Sequence, residues 1–307
     1  MKNGFIVIDG NNIAYAANAT RKLHAGALET QGIYGFLRAV RAAIAAYPML
    51  KPIVLWDGRS WRYEAFPGYK AKREKPPETK SKQLMADNRQ SMKEQKPYIR
   101  RGLLSLGVTQ MVALNLEADD LAGILVRRFQ PQGKKILLLS GDKDWIQLVG
   151  PGVGWMDPIN DIRITTSSIE EKLGVKTARQ WLDVKALMGD SSDEIPGVGG
   201  IGDKGAKELV TSFGSVASFL NQAMDGSLPE LPKKFRDFAE SPEKQEIFYR
   251  NLKLMDLSSP EIPAPLGLKV EKGELALDDF AGLCEELIFH SIVSNLNNWC
   301  EPFEKAA

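Results

Sequence analysis

The chain has 307 residues, 43% of them hydrophobic and 26% charged, with a formal net charge of +1. That length and balance predict a globular protein of one large or two ordinary domains, and exclude low-complexity, collagen-like and disulfide-scaffold classes. Only two cysteines (Cys284, Cys300) and two histidines (His24, His290) are present, too little for a zinc site or a histidine-based nuclease, so any metal here is a hard cation held by oxygen.

In chain order, "FIVID" is a short apolar run that ends in Asp9. Asp9 also interrupts the N-terminal apolar stretch too early for a cleavable signal, and no later apolar run is long enough for a bilayer. With so few cysteines, a reducing cytoplasm is the expected compartment. "GIYGFLRAVRAAIAAY" has helical spacing. "KPIVLWDG" is a second strand-like run, ending in Asp57. "VTQMVALNLEADD" delivers Glu117, Asp119 and Asp120, "DDLAGILVRRF" has helical spacing, and "KKILLLSGDKD" delivers Asp142 and Asp144. Short Val/Ile/Leu runs alternating with helical patterns predict an α/β fold with a mainly parallel central sheet flanked by helices.

In such sheets ligands bind beyond the carboxyl ends of the strands, where all four runs place their acids. A single Asp after a strand is ordinarily a cap or turn residue. Seven carboxylates on four strand ends would repel one another, and bound Mg²⁺ or Mn²⁺ relieves that repulsion. After "QWLDVKALMGD", Asp190 and Asp193 extend the set to nine, on a spacing that predicts one face of a helix or helical turn; Asp193 fits a ligand role and a capping role equally. Two cations roughly 4 Å apart suit phosphodiester hydrolysis by activated water.

"PGVGGIGDKGAKEL" carries five glycines within nine residues, with neither a Walker ending nor a preceding strand. A helix on either side predicts a helix-hairpin-helix. Its loop, Gly197, Val198, Gly199, Gly200, Ile201 and Gly202, would let backbone N–H groups approach a phosphodiester, with carbonyls able to hold K⁺. Lys204 and Lys207 would meet the backbone as point charges, without reading sequence. Between Arg59 and Arg101 thirteen Lys or Arg face five Asp or Glu, a balance of +8 against −7 for the rest. That asymmetry fits either a polyanion footprint or a solvated lysine-rich loop. Pro76 and Pro77 predict a helix break inside it.

"VIDGNN", "LEADDLAG", "LSGDKDWIQLV" and "ALMGDSSDEIPGVGGIGDKGA" resemble the 5′-nuclease family: phage 5′-exonucleases, flap endonucleases and the 5′-nuclease domain of bacterial DNA polymerase I. "FYRNLKLMDL" resembles that family's strand after the hairpin region, and "FAGLCEELIFHSIV" its closing helix. The resemblance implies a nuclease domain over 1–175 with a basic arch at about 59–101, a helix-hairpin-helix subdomain over 176–260, and a segment over 261–307 that returns to the nuclease domain. It implies that Asp9, Asp57, Glu117 and Asp119 hold a first metal ion. Asp142, Asp144 and Asp190 hold a second, with Asp193 assisting and Asp120 peripheral. Arg62, Lys70 and Arg73 would contact phosphates, with Lys70 stabilising developing charge. Tyr69 would stack on an unpaired base or simply pack in the arch. The implied activity is 5′→3′ exonuclease and 5′-flap endonuclease, with Mg²⁺ and substitutable Mn²⁺, acting on DNA 5′ ends, flaps, nicks and RNA-primed DNA. A stand-alone monomer in the cytoplasm of a bacterium or phage-infected cell is expected. An idle junction-binding protein and a metal-dependent ribonuclease are the alternatives.

Overall fold

The computed structural model describes residues 3–71, 79–227 and 230–306. Arg73, Pro76 and Pro77 lie outside them.

All four apolar runs form strands, and their order explains why their acids meet. β1 (Gly4–Asp9), β2 (Lys51–Trp56), β3 (Thr109–Val112), β4 (Lys135–Leu139), β5 (Val153–Asp157), β6 (Ile162–Ile164) and β7 (Lys269–Glu271) form one sheet in the order β7-β3-β2-β1-β4-β5-β6. The five inner strands are parallel, and β6 and β7 run antiparallel along the edges. The chain winds outward from β1 through β2 to β3, then crosses back to β4 and β5. Winding therefore reverses between β1 and β4, and such a reversal opens a crevice beyond the strands' carboxyl ends.

Successive side chains point to opposite faces of the sheet, and both faces are covered. Ile6, Ile8, Val54 and Leu139 pack under α1 (Gly10–Asn18), α2 (Gln31–Ala46), α3 (Lys80–Ser105) and two C-terminal helices, Leu277–Glu286 and Leu296–Ala306. Val7, Leu55 and Leu138 face α4 (Ala118–Phe129) and the helical region that includes α5 (Ala178–Met188), α6 (Asp203–Phe213) and α7 (Pro242–Met255). The basic stretch is thus not all loop: Met92, Gln95, Ile99 and Leu103 of α3 are buried.

Two local expectations are corrected. Residues of "FYRNLKLMDL" lie in α7, because Phe248, Asn251, Leu254 and Met255 recur at helical spacing and are buried on one face. Asp190 and Asp193 stand on no helix. Gly189–Asp190 pairs antiparallel with Ile195–Pro196, and Asp190 Oδ1 accepts from the backbone N–H groups of Ser192 (2.8 Å) and Asp193 (3.3 Å), closing an Asx-type turn.

The loop glycines separate into kinds. A Cβ at Gly197 would sit 2.3 Å from the Met188 carbonyl, whereas Gly199 and Gly200 need positive φ (76° and 79°) and face open space. Gly123, inside α4, would place a Cβ 1.9 Å from the Leu257 carbonyl, where the chain leaving α7 crosses. An exposed helical Gly→Ala change stabilises by about 1 kcal/mol. Here the sign reverses, and Gly123→Ala lowers stability by about 1–3 kcal/mol; urea denaturation showing an unchanged or raised midpoint would contradict this crossing.

Candidate active site

At the reversal point a cleft of about 220 Å³ is lined by Asp9, Asp57, Glu117, Asp119, Asp142, Asp144, Asp190 and Asp193, with Lys70, Asn11 and Asn12. Eight of the nine acids singled out in the sequence are therefore brought together.

Capping and clustering coincide. Asp9 ends β1 and caps α1, accepting the Asn12 N–H at 3.0 Å, while its other oxygen accepts the Ser140 hydroxyl across the reversal point at 2.8 Å. Asp57 accepts the Ala118 N–H at 2.8 Å and the side-chain amide of Asn11. Glu117 caps α4 in a capping box with Asp120. Asp142 accepts the Asp144 N–H at 2.8 Å. Three indoles hold this edge: Trp145 donates to Asp119 (2.7 Å), Trp155 to the Asp142 carbonyl (3.0 Å) and Trp181 to the Lys143 carbonyl (3.0 Å).

The electrostatics follow. Burial first, then Asp57 and Asp142, push Asp9 up to about 7. Burial and Asp142 push Asp144 up to about 7, and burial with Asp142 and Asp9 lifts Asp119 well above the carboxylate range. Burial would also raise Glu117, but Lys70 and Arg62 outweigh it and leave this carboxyl below its ordinary value. Asp190 is likewise lowered against burial, by Ser192 and Lys185. Lys70 Nζ lies 2.5 Å from Glu117 and 3.6 Å from Asp193; Lys185 Nζ lies 3.0 Å from Asp144 and 2.9 Å from Asp190.

Among the described residues, no group of three or more Asp, Glu, His or Cys side chains is drawn tightly enough together to hold an ion as it stands. The two lysines occupy carboxylate oxygens instead. The donor set nevertheless fits a hard divalent cation. It is all oxygen, and burial together with neighbouring carboxylates raises the proton affinity of Asp9, Asp119 and Asp144.

Other residues expected at the site have different surroundings. Arg62 is buried, donating to Asp120 (2.8 and 3.0 Å), Glu117 (3.3 Å) and the Leu254 carbonyl (2.6 Å), so its guanidinium is not open to a phosphate. Asp120 is fully buried against Arg62 and the Glu117 N–H and does not line the cleft. Removing either partner of such a buried pair typically costs about 3–5 kcal/mol. Tyr69 is 2% exposed, its hydroxyl donating to Glu117 at 2.7 Å, so its ring is not available for base stacking; it positions Glu117 instead. Lys70 keeps its place in the cleft with φ at 52°, a region costing a non-glycine residue about 1–3 kcal/mol. In the hairpin, Val198 and Ile201 are buried and anchor the loop, Gly202 and Lys204 are exposed, and Lys207 pairs with Asp203 at 2.9 Å. Sequence reasoning missed Asn11, Asn12, Ser140 and Lys185. Lys185 carried a signal, a charge one turn from Trp181 and Leu182 on a largely buried helix.

The raised carboxyls bind protons in the folded chain at pH values where the unfolded chain has released them. Between the ordinary value of 3.8 and about 7, stability therefore falls as pH rises. Glu117 and Asp190, held low, stay ionised in both states above about pH 5 and add no slope there. In EDTA the protein melts at a higher temperature near pH 5.5 than near pH 7.5, and divalent cation narrows the gap (about two pH units of contrast). Thermal melts rising toward pH 7.5 in EDTA would show that the cluster is not self-repelling.

Residues 4–174 match the model of the 5′-3′ exonuclease N-terminal, resolvase-like domain, and residues 176–266 that of the 5′-3′ exonuclease C-terminal SAM fold. The chain is 31% identical over 300 residues to a thermostable DNA polymerase I of Thermus filiformis, covering 94% of this chain and 32% of that protein. It thus spans about a third of such relatives. With flap endonuclease Xni of Shewanella sediminis it shares 34% identity over 224 residues, 70% of this chain and 79% of that one. Its fold resembles that of the T5 D15 protein co-crystallized with metal ions (TM-score 0.65, 21% identity, 99% of each chain). It also resembles the catalytic core of Rad2 in complex with DNA (TM-score 0.57, 17% identity, 96% and 91% of the two chains). Strand order, carboxylate edge and both domain matches agree: this chain belongs to the 5′-3′ exonuclease family.

Proposed function

We propose that the chain is a divalent-metal-dependent 5′→3′ exonuclease and structure-specific 5′-flap endonuclease acting on DNA. The observation that carries this reading is the cleft of eight carboxylates at the sheet's reversal point, joined by one short chain segment to the glycine hairpin. Among the described residues no helix is long and apolar enough to cross a membrane.

Asp9, Asp57, Glu117 and Asp119 would hold one cation and Asp142, Asp144 and Asp190 another, with Asp193 beside them. Mg²⁺, with Mn²⁺ as substitute, would supply an activated water and neutralise charge on the attacked phosphate. The chain's own residues orient and shield. Tyr69 and Lys70 fix Glu117, and the Lys70 N–H donates to the Asp193 carbonyl at 3.0 Å, tying the basic segment to the Asp190 turn. Lys70 and Lys185, now on carboxylates, would turn their ammonium groups to phosphate oxygens as cations take their places. The exposed N–H groups about Gly199, Gly200 and Gly202 would grip a phosphodiester, with K⁺ on the loop carbonyls and Lys204 adding charge. We read residues 1–175 as the nuclease domain, 176–260 as the hairpin subdomain and 261–307 as the returning segment. The substrates are DNA with 5′ ends, flaps or nicks, including RNA-primed DNA, met by a cytoplasmic monomer.

A 5′-labelled flap duplex releases an oligonucleotide cut near the junction in Mg²⁺ and nothing in EDTA. Asp142→Asn abolishes that release while junction binding persists; binding without any cleavage by the native chain would leave an idle junction binder. Lys204→Ala weakens duplex binding equally across sequences and lowers the slope of log K against log salt by about 1. A change confined to certain sequences would contradict a backbone grip.

A further inference from the structure

Lys96 stands on α3, within the basic stretch, yet it points inward. Its Nζ lies 4.6 Å from the centre of the Trp56 ring and donates to Asn11 Oδ1 at 3.2 Å. The Asn11 side-chain nitrogen in turn donates to Asp57 Oδ2, and Asp57 Oδ1 accepts the Ala118 N–H at 2.8 Å. An ammonium only donates and a carboxylate only accepts, so an amide between them has a single satisfied orientation. Without the ammonium, Asn11 could turn its carbonyl toward Asp57 and repel it. Trp56 directly precedes Asp57, so the same ammonium also braces the end of β2. A lysine serving only solubility would keep its head in water; burial here lowers the Lys96 pKa, consistent with an inward ammonium.

We propose that Lys96 is a positioning residue that, by locking the Asn11 amide, seats the Asp57 carboxylate and couples α3 to the cleft. The inference rests on the reading of Asp57 as an ion ligand, and it gives α3 a second role beside any contact with a nucleic-acid strand. Movement of α3 alters the seat of a ligand on the other side of Asn11.

The test has a readout that needs no metal. Ala118 is the first residue of α4, where an amide has no intrahelical partner, so its protection comes from Asp57. In EDTA, NMR hydrogen exchange at Ala118 becomes up to about tenfold faster in K96M and in N11A, the loss of one hydrogen bond, and returns to the native rate in K96R. Mn²⁺ affinity, measured by calorimetry without DNA, falls about tenfold in K96M, and K96M has no further effect on a D57N background. Native exchange at Ala118 in both K96M and N11A overturns the relay, as does an undiminished K96M effect on Mn²⁺ in the D57N background. If the native chain itself bound no Mn²⁺, the ion-ligand reading would fall, while exchange at Ala118 would still decide whether Lys96 acts on Asp57.

Discussion

The structure depends on keeping eight carboxylates together at one sheet edge against their own repulsion. The fold does this with neutral donors more than with counter-charges. Backbone N–H groups at the starts of α1 and α4, the Ser140 hydroxyl and the Trp145 indole each take an oxygen, and a helix N-terminus favours negative charge. Capping and clustering therefore do not compete here: the groups that start helices are the groups that face the cleft. Lys70 and Lys185 supply the rest, from segments that belong to neither β1 nor β4.

The second constraint is the passage from α5 to α6. Lys185, Asp190 and the hairpin glycines lie within one short run, and the Val198 N–H donates to the Leu187 carbonyl at 3.0 Å, folding the loop onto the end of α5. Asn251 of α7 clamps the same place, donating to the carbonyls of Ala186 and Pro196. Distance between cleft and loop is therefore set by packing, with little freedom for the loop to drift. Glycine at 197 answers to that packing, and glycine at 199 and 200 to backbone conformation.

Much of this was legible in the sequence because it is local. Short Val/Ile/Leu runs ending in acids gave four strands and a shared edge, and residue order along the chain placed the acids at strand ends. What was not legible depends on residues far apart. Tyr69 and Arg62 look like arch residues facing substrate, and only the approach of Glu117, Asp120 and Leu254 turns them inward. Asp190 and Asp193 have the spacing of a helical face, but Gly189 at a φ of 72° ends α5 and diverts the chain into a turn. "FYRNLKLMDL" has enough apolar residues for a strand, and burial on one face at helical spacing decides otherwise. Asn11, Ser140 and Lys185 are polar residues whose partners no single-chain pattern reveals.

Over the face of the sheet that carries Ile6 and Ile8, helices Leu277–Glu286 and Leu296–Ala306 pack on the outside of α2 and α3. Leu283 packs at Gly102 of α3, Phe280 stacks on Trp299 at 5.1 Å, and Arg41 of α2 donates to the Trp299 carbonyl at 2.7 Å. β7 likewise pairs with β3 across more than 150 residues of chain. During synthesis β1, α1, α2 and α3 leave the ribosome long before these outer helices do. The nascent chain must therefore carry exposed apolar surface on α2 and α3 until residues near 300 emerge, and closure of so distant a contact is slow. Completion of the scaffold behind the carboxylate edge is in this sense a late event, delayed until the segment near residue 300 has been made.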